Sequence, residues 1–302
     1  WKKSPPPAPA RSLLTREASL PTALLMNWKN KAEVPFRSFS EKSPVRNHLR
    51  LNSPLKNLTM NTWTIFKREL TSYFTQLTAY AVIVIFGLLS VGLAFTFGSF
   101  WRYEDASLSY SFFWWHPLLL MILAPAVTMR LWSDEHRTGT IELLGTMPVS
   151  MGSAILGKFF ASAFVWLLAL ALTFPIVVSV NWLGDPDNWT IFSGYLGSFI
   201  VCCTFLAISS LVSAFTRDQV VALIVSVAIC FILTFCGIDP VINEVRRSGS
   251  AETVNLLSTL GVYSHFLDAT RGLIRLPSLI YFIGLISVCL VGTNLVLKSQ
   301  RA

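Results

Sequence analysis

The chain is 302 residues long, 53% hydrophobic and only 13% charged, with a mean hydropathy of +0.57. Soluble domains carry about 25% charged residues, so this composition argues against a soluble protein. It points to an all-α integral membrane protein, one membrane domain with no large soluble domain. The net charge of +8 does not make the body a nucleic-acid binder: residues 1–59 hold 11 Lys and Arg against 3 Asp and Glu, whereas residues 60–302 hold 13 of each kind.

In chain order, residues 1–59 come first, with eight of the 15 prolines and no helical or strand period. Disorder is the expectation there. The basic, acid-poor composition resembles an organelle transit peptide. A simpler account is an extension in front of a start at Met60, foreign to the fold. Residues 61–77 then read as an amphipathic helix, because Trp63, Phe66, Leu70, Phe74 and Leu77 recur at three- and four-residue steps with Lys67, Arg68 and Glu69 between them. Such a helix suits a membrane surface, with Trp63 and Tyr73 at headgroup depth.

Six candidate spans follow, at 79–101, 113–132, 154–183, 191–215, 220–237 and 278–297. Each approaches or exceeds the roughly 20 residues that a bilayer crossing needs. Pro125 and Pro175 are tolerable kinks. With Met60 inside, the inner segments carry Lys67, Arg68, Arg130, Arg137, Lys158, Arg217, Lys298 and Arg301, and the outer ones Arg102, Arg246, Arg247, Arg271 and Arg275. The bias places both termini in the cytoplasm. The outer stretch 238–277 is too long for a turn, and Val262, Phe266, Ala269 and Leu273 suggest a helix lying at the outer interface. All five cysteines, Cys202, Cys203, Cys230, Cys236 and Cys289, fall in apolar spans and read as small hydrophobes rather than a disulfide framework.

Several patterns could carry chemistry. Residues 152–159 nearly spell a phosphate-binding loop, but Phe159 stands where a Ser or Thr hydroxyl must hold Mg²⁺, and no strand precedes it. Ser264, His265 and Asp268 have the residue types of a hydrolase triad, yet adjacent helical positions point apart and no nucleophile elbow is present. The four histidines, His48, His116, His136 and His265, are scattered, so no metal site is expected. Ser90, Ala94 and Gly98 lie four apart and suit close packing, within the bundle or between two copies. No span core carries the Asp or Glu of an ion-coupled carrier, so a transporter built this way needs a separate energy source.

The polar stretch 130–150 between the second and third spans is where that source could act. Thr138 and Gly139 could start a short helix with Glu142 in its first turn, Ile141, Leu143 and Leu144 on its apolar side and Pro148 as its stop. Ser150 could then cap the third span. From spacing alone, a solvated loop serves equally well. At these residues the sequence, RLWSDEHRTGTIELLGTMPVS followed by Gly157-Lys158-Phe159, resembles type-2 ABC transporter permeases. It is most similar to the gliding-motility and nitrous-oxide-reductase-maturation group. Phe66-Lys-Arg-Glu-Leu, Tyr263-Ser-His-Phe and Arg271-Gly extend the likeness over residues 60–302.

The resemblance implies six transmembrane helices, an N-terminal elbow helix and a cytoplasmic coupling helix between spans two and three. The coupling residues would be Glu135, Arg137, Gly139, Thr140, Ile141, Glu142, Leu143 and Pro148. It also implies an exporter-type subunit of the inner membrane, without catalysis or cofactor of its own, pairing with a like or unlike permease subunit. Two copies of a separate ATPase would bind ATP and Mg. The alternatives are a membrane scaffold that docks a cytoplasmic complex without transport, and an intramembrane hydrolase resting only on Ser264, His265 and Asp268.

Overall fold

The structure, a computed structural model, describes residues 62–97, 108–140, 150–248 and 251–300. Among them every regular element is helical. The amphipathic helix α1 (Thr62–Thr75) is followed, after Gln76, by the first span α2 (Leu77–Thr96). A 3-10 turn at Phe113–Trp115 leads into α3 (His116–Thr128) and α4 (Arg130–Thr138), which together make the second span. The third is α5 (Met151–Leu172) with α6 (Pro175–Leu183), and the fourth is α7 (Asn188–Phe215). Then come α8 (Gln219–Phe235), α9 (Asp239–Ser248), α10 (Ala251–Leu260), α11 (Val262–Thr270) and the last span α12 (Leu276–Ser299).

Five of these spans are long and apolar enough to cross a bilayer, and α8 with α9 makes a sixth if the pair is one broken span bent by 65°. By length, α8 alone does not make the crossing. The 17 residues of α8 reach only about 25 Å at 1.5 Å per residue, short of the ~30 Å hydrocarbon core. Local chemistry sets the helix starts. Ser150, Asp187 and Asp218 each accept a backbone N–H of the helix that follows, and Pro117, Pro175 and Pro277 sit in first turns where their missing N–H is no loss.

The most deeply buried span is α7, and the first and last spans are the least buried. Around α7 pack α3, α5, α8, α11 and α12. Phe86, Phe112, Phe113, Leu120, Trp166 and Phe205 fill the main core. A smaller cluster of Ile65, Trp132, Ala154, Ile155, Ala214 and Leu297 closes the bundle at the polar end of the second span. Ser90 and Ala94 are buried within the chain, as bundle packing requires, while Gly98 lies outside the described residues. The extension 1–59 lies outside them too.

Two expectations are corrected in detail. Helix α1 also has an inward face that the stripe did not show: Ile65 is buried, Glu69 turns inward and Leu70 of the stripe packs against the core, while Trp63 is exposed. Tyr73 packs against the core rather than standing clear of it. The helix foreseen near Val262 exists as α11, but Val262 and Phe266 are fully buried and the helix packs on α7 instead of lying open, with Leu273 beyond its end.

The seat of α1 on α5 depends on Gly157. A Cβ there would lie 2.8 Å from Ile65 Cγ2 and 3.1 Å from the Thr62 carbonyl oxygen, whereas one on Gly152 of the same helix meets open space. Gly157→Ala is therefore expected to cost about 1–3 kcal/mol, as overpacking does, and to lower the melting temperature in detergent. Gly152→Ala should leave it unchanged.

Candidate functional site

The polar stretch after the second span is built as a continuation of that span. Pro125 and the break at Met129 interrupt the backbone ladder between α3 and α4, leaving the first N–H groups of α4 without helical partners. A side chain of another span supplies what is missing. Ser213 Oγ on α7 accepts from Trp132 N and Ser133 N, both at 3.1 Å, and donates to the Met129 carbonyl at 3.0 Å. Trp132 is fully buried and its Nε1 donates to Ser210 Oγ at 3.2 Å. His136 Nε2 lies 3.0 Å from the Ala214 carbonyl oxygen. Helix α4 is thus fastened along one side to the end of α7.

The other side is fastened by charge. Lys158 Nζ, on the first turns of α5, lies 2.9 Å from Glu135 Oε1 of α4 and 3.3 Å from Glu69 Oε1 of α1. The three side chains are 6%, 15% and 17% exposed. The ammonium also sits 5.3 Å from the centre of the Trp132 ring, a further favourable contact for a desolvated cation. Burial raises the Glu69 pKa, but Lys158 and Arg68 outweigh it and hold the carboxyl below the ordinary value of 4.5. A cavity of about 410 Å³ opens beside the cluster, bordered by Glu69, Tyr73, Arg130, Asp134, Glu135 and Lys158.

The stretch 130–140 divides at Gly139: one helix ends there, and Thr140 beyond it is helical again. Thr138 is the last residue of α4, and Gly139 takes a left-handed conformation, φ +72°, at its C-cap. Glycine adopts that geometry without steric cost, which is why it so often ends helices. Thr140 Oγ1 lies 3.0 Å from Thr138 Oγ1 across the glycine. Ile141, Glu142, Leu143 and Pro148 lie outside the described residues. Arg137 is exposed and pairs with Asp134 at 3.5 Å. Asp134 also accepts from Gln219 Nε2 at the start of α8. That contact draws the short link between the fourth and fifth spans alongside, so that Arg137, Arg217, Asp218, Gln219 and Val220 line an open cleft of about 400 Å³. Ser150 caps α5 as expected, accepting from Ser153 N at 3.2 Å.

The other patterns come apart. Residues 152–159 lie inside α5, and the Lys158 of the near phosphate loop is consumed by its two carboxylates. Ser264 Oγ donates to the Ser258 and Gly261 carbonyls, His265 lies against Ser278 and Thr259, and Asp268 pairs with Arg275, so the three form no relay. Among the described residues no group of His, Cys, Asp and Glu is placed to hold a metal ion.

Glu69, Lys158 and Ser213 were not singled out by sequence reasoning as site residues. One signal was present: Lys158 is a cation at the start of an otherwise apolar span, and a charge so placed needs a partner.

Removing one member of a buried ion cluster strands the rest, at roughly 3–5 kcal/mol. Lys158→Met should therefore destabilise the protein strongly, and adding Glu69→Gln with Glu135→Gln should recover most of the loss, as read by thermal unfolding in detergent. The cluster also fixes a pH dependence. Because the Glu69 pKa is lowered on folding, its contribution is complete above the unfolded value and is lost as pH falls through the folded one. Acidification below pH 4.5 should lower the melting temperature of the wild type more than that of Glu69→Gln.

Residues 114–242, from the lead-in to the second span into the first turn of α9, match the ABC-2 family transporter protein family. The probable ABC transporter permease protein NosY of Pseudomonas aeruginosa is 27% identical over 172 residues, 52% of this chain and 61% of the relative. The chain thus spans about three fifths of that relative's length. The matched family region contains α4, Lys158 and Ser213, the parts that fasten the polar end of the second span to its neighbours. With its all-helical membrane architecture, the chain is similar over this middle region to the membrane subunits of type-2 ABC transporters.

Proposed function

We propose that the chain is the transmembrane subunit of an ATP-binding-cassette exporter, with no catalysis of its own, driven by a separate ATPase. One observation carries the reading: the family match falls on a polar segment anchored to three spans rather than hung between two. Two copies of the ATPase bind ATP and Mg, and this chain pairs with a second permease subunit, like or unlike. The polar end faces the cytoplasm, as do both termini, and the membrane is the inner one.

The coupling segment is 135–148, and its residues divide the work. Arg137, Gly139 and Thr140 are exposed and meet the partner, as do Ile141, Glu142, Leu143 and Pro148. Glu135 lies too deep to touch it and passes the load to Lys158. Closure of the ATPase dimer on ATP displaces α4. Through Lys158 that displacement reaches α5 and α1, and through Ser213 it reaches α7. The link holding Arg217 belongs to the same surface, since it lines the cleft beside Arg137.

The experiment is co-expression with a candidate ATP-binding-cassette ATPase from the same organism. The wild type is expected to co-purify with it and change its ATP hydrolysis rate. Glu142→Lys should insert normally and remove the rate change. Arg217→Glu should lower the co-purified ATPase about tenfold, the scale of losing one charged contact worth ~1.4 kcal/mol. A wild type that binds no ATPase favours the scaffold reading. A bound ATPase with no effect of Glu142→Lys removes that residue from the coupling.

A further inference from the structure

We propose that the groove between α1 and α5 is a binding site for an anionic phospholipid. Trp63, Phe66, Phe160, Phe164, Leu167 and Phe199 line a groove of about 440 Å³. Its walls are held by aromatic contacts: Trp63 stacks on Phe66 at 5.1 Å, and Phe66 meets Phe164 edge-on at 6.1 Å. No part of the described chain covers it, and Phe160, Phe164 and Leu167 are 52%, 41% and 47% exposed. In a bilayer such a concavity is filled by an acyl chain, because an empty one forfeits the dispersion contacts of its lining.

The lip supplies the headgroup preference. Lys67 Nζ stands 5.3 Å from the centre of the ring of Trp63, one of the residues that line the groove. Its neighbour Arg68 is neutralised by Glu69 at 2.7 Å, but Lys67 makes no ion pair among the described residues. An indole favours the depth of lipid headgroups, so the cation above it is placed to meet a phosphate. A zwitterionic lipid fills the groove equally but brings no net charge to Lys67; an anionic one gains at both ends.

The test is native mass spectrometry of the full chain released from micelles holding equimolar phosphatidylglycerol and phosphatidylcholine. The wild type should retain phosphatidylglycerol preferentially. Lys67→Glu should reduce the preference at least about fivefold, since one basic residue near an anionic surface is worth roughly 1 kcal/mol. Leu167→Trp, which places bulk in the groove from a lipid-exposed position, should lower retention of both lipids. Equal retention of the two lipids by the wild type, an undiminished preference in Lys67→Glu, or wild-type retention in Leu167→Trp would each overturn the proposal. No ATPase takes part, so the outcome is independent of the transport reading.

Discussion

The arrangement depends on one buried ammonium. Lys158 lies two turns into a 22-residue helix with no other charged residue, and a lone charge there would cost several kcal/mol in lost hydration. Two carboxylates offset the cost, and they come from separate elements: Glu69 from the helix before the first span, Glu135 from the end of the second. Because both carboxylates converge on the same ammonium, the positions of α1, α4 and α5 are tied together at a single atom. The close seat of Ile65 on Gly157, one residue before the lysine, is the apolar counterpart of the same junction.

The serines of α7 complete what the lysine begins. The break at Met129 frees backbone donors that cannot be left unsatisfied in a buried site, and Ser213 answers both of them while returning its own proton to the Met129 carbonyl. Ser210 and the Ala214 carbonyl extend the seam to the Trp132 and His136 side chains. Charge on one flank and hydrogen bonds on the other leave α4 little freedom to move by itself. A force applied at Arg137 or Gly139 is shared at once by the third and fourth spans, which is the mechanical property that a coupling element requires.

The spans and their order were legible in the sequence because a long apolar run is a local signal, and so was the Ser150 cap, whose partner is three residues away. The α1 helix was legible by its period, but its inward face was not. Reading periodicity assigns Glu69 to solvent, and nothing near it in sequence says that a buried cation waits in the third span. Gly139 was legible only in part. A glycine after His136 and Arg137 is a helix C-terminus signal, and reading it as a beginning passed over the helix that it closes, although Thr140 beyond it is helical again. Ser213 could not have been found by composition, since its importance comes from a backbone break on another span.

Helix α1 has an apolar flank on both sides, one against α5 and the other along the groove lined by Trp63 and Phe66. In water, burial of either flank would suffice to seat it. Within a membrane, lipid tails are as apolar as leucine, so apolar contact between helices has little advantage over contact with lipid. The direction in which the helix faces must then be decided by what lipid cannot offer. Only one face of α1 carries a carboxylate within reach of Lys158, and turning that face outward would give up its contact with the buried ammonium. The polar pair orients the helix, and the aromatic face is turned to the bilayer as a consequence.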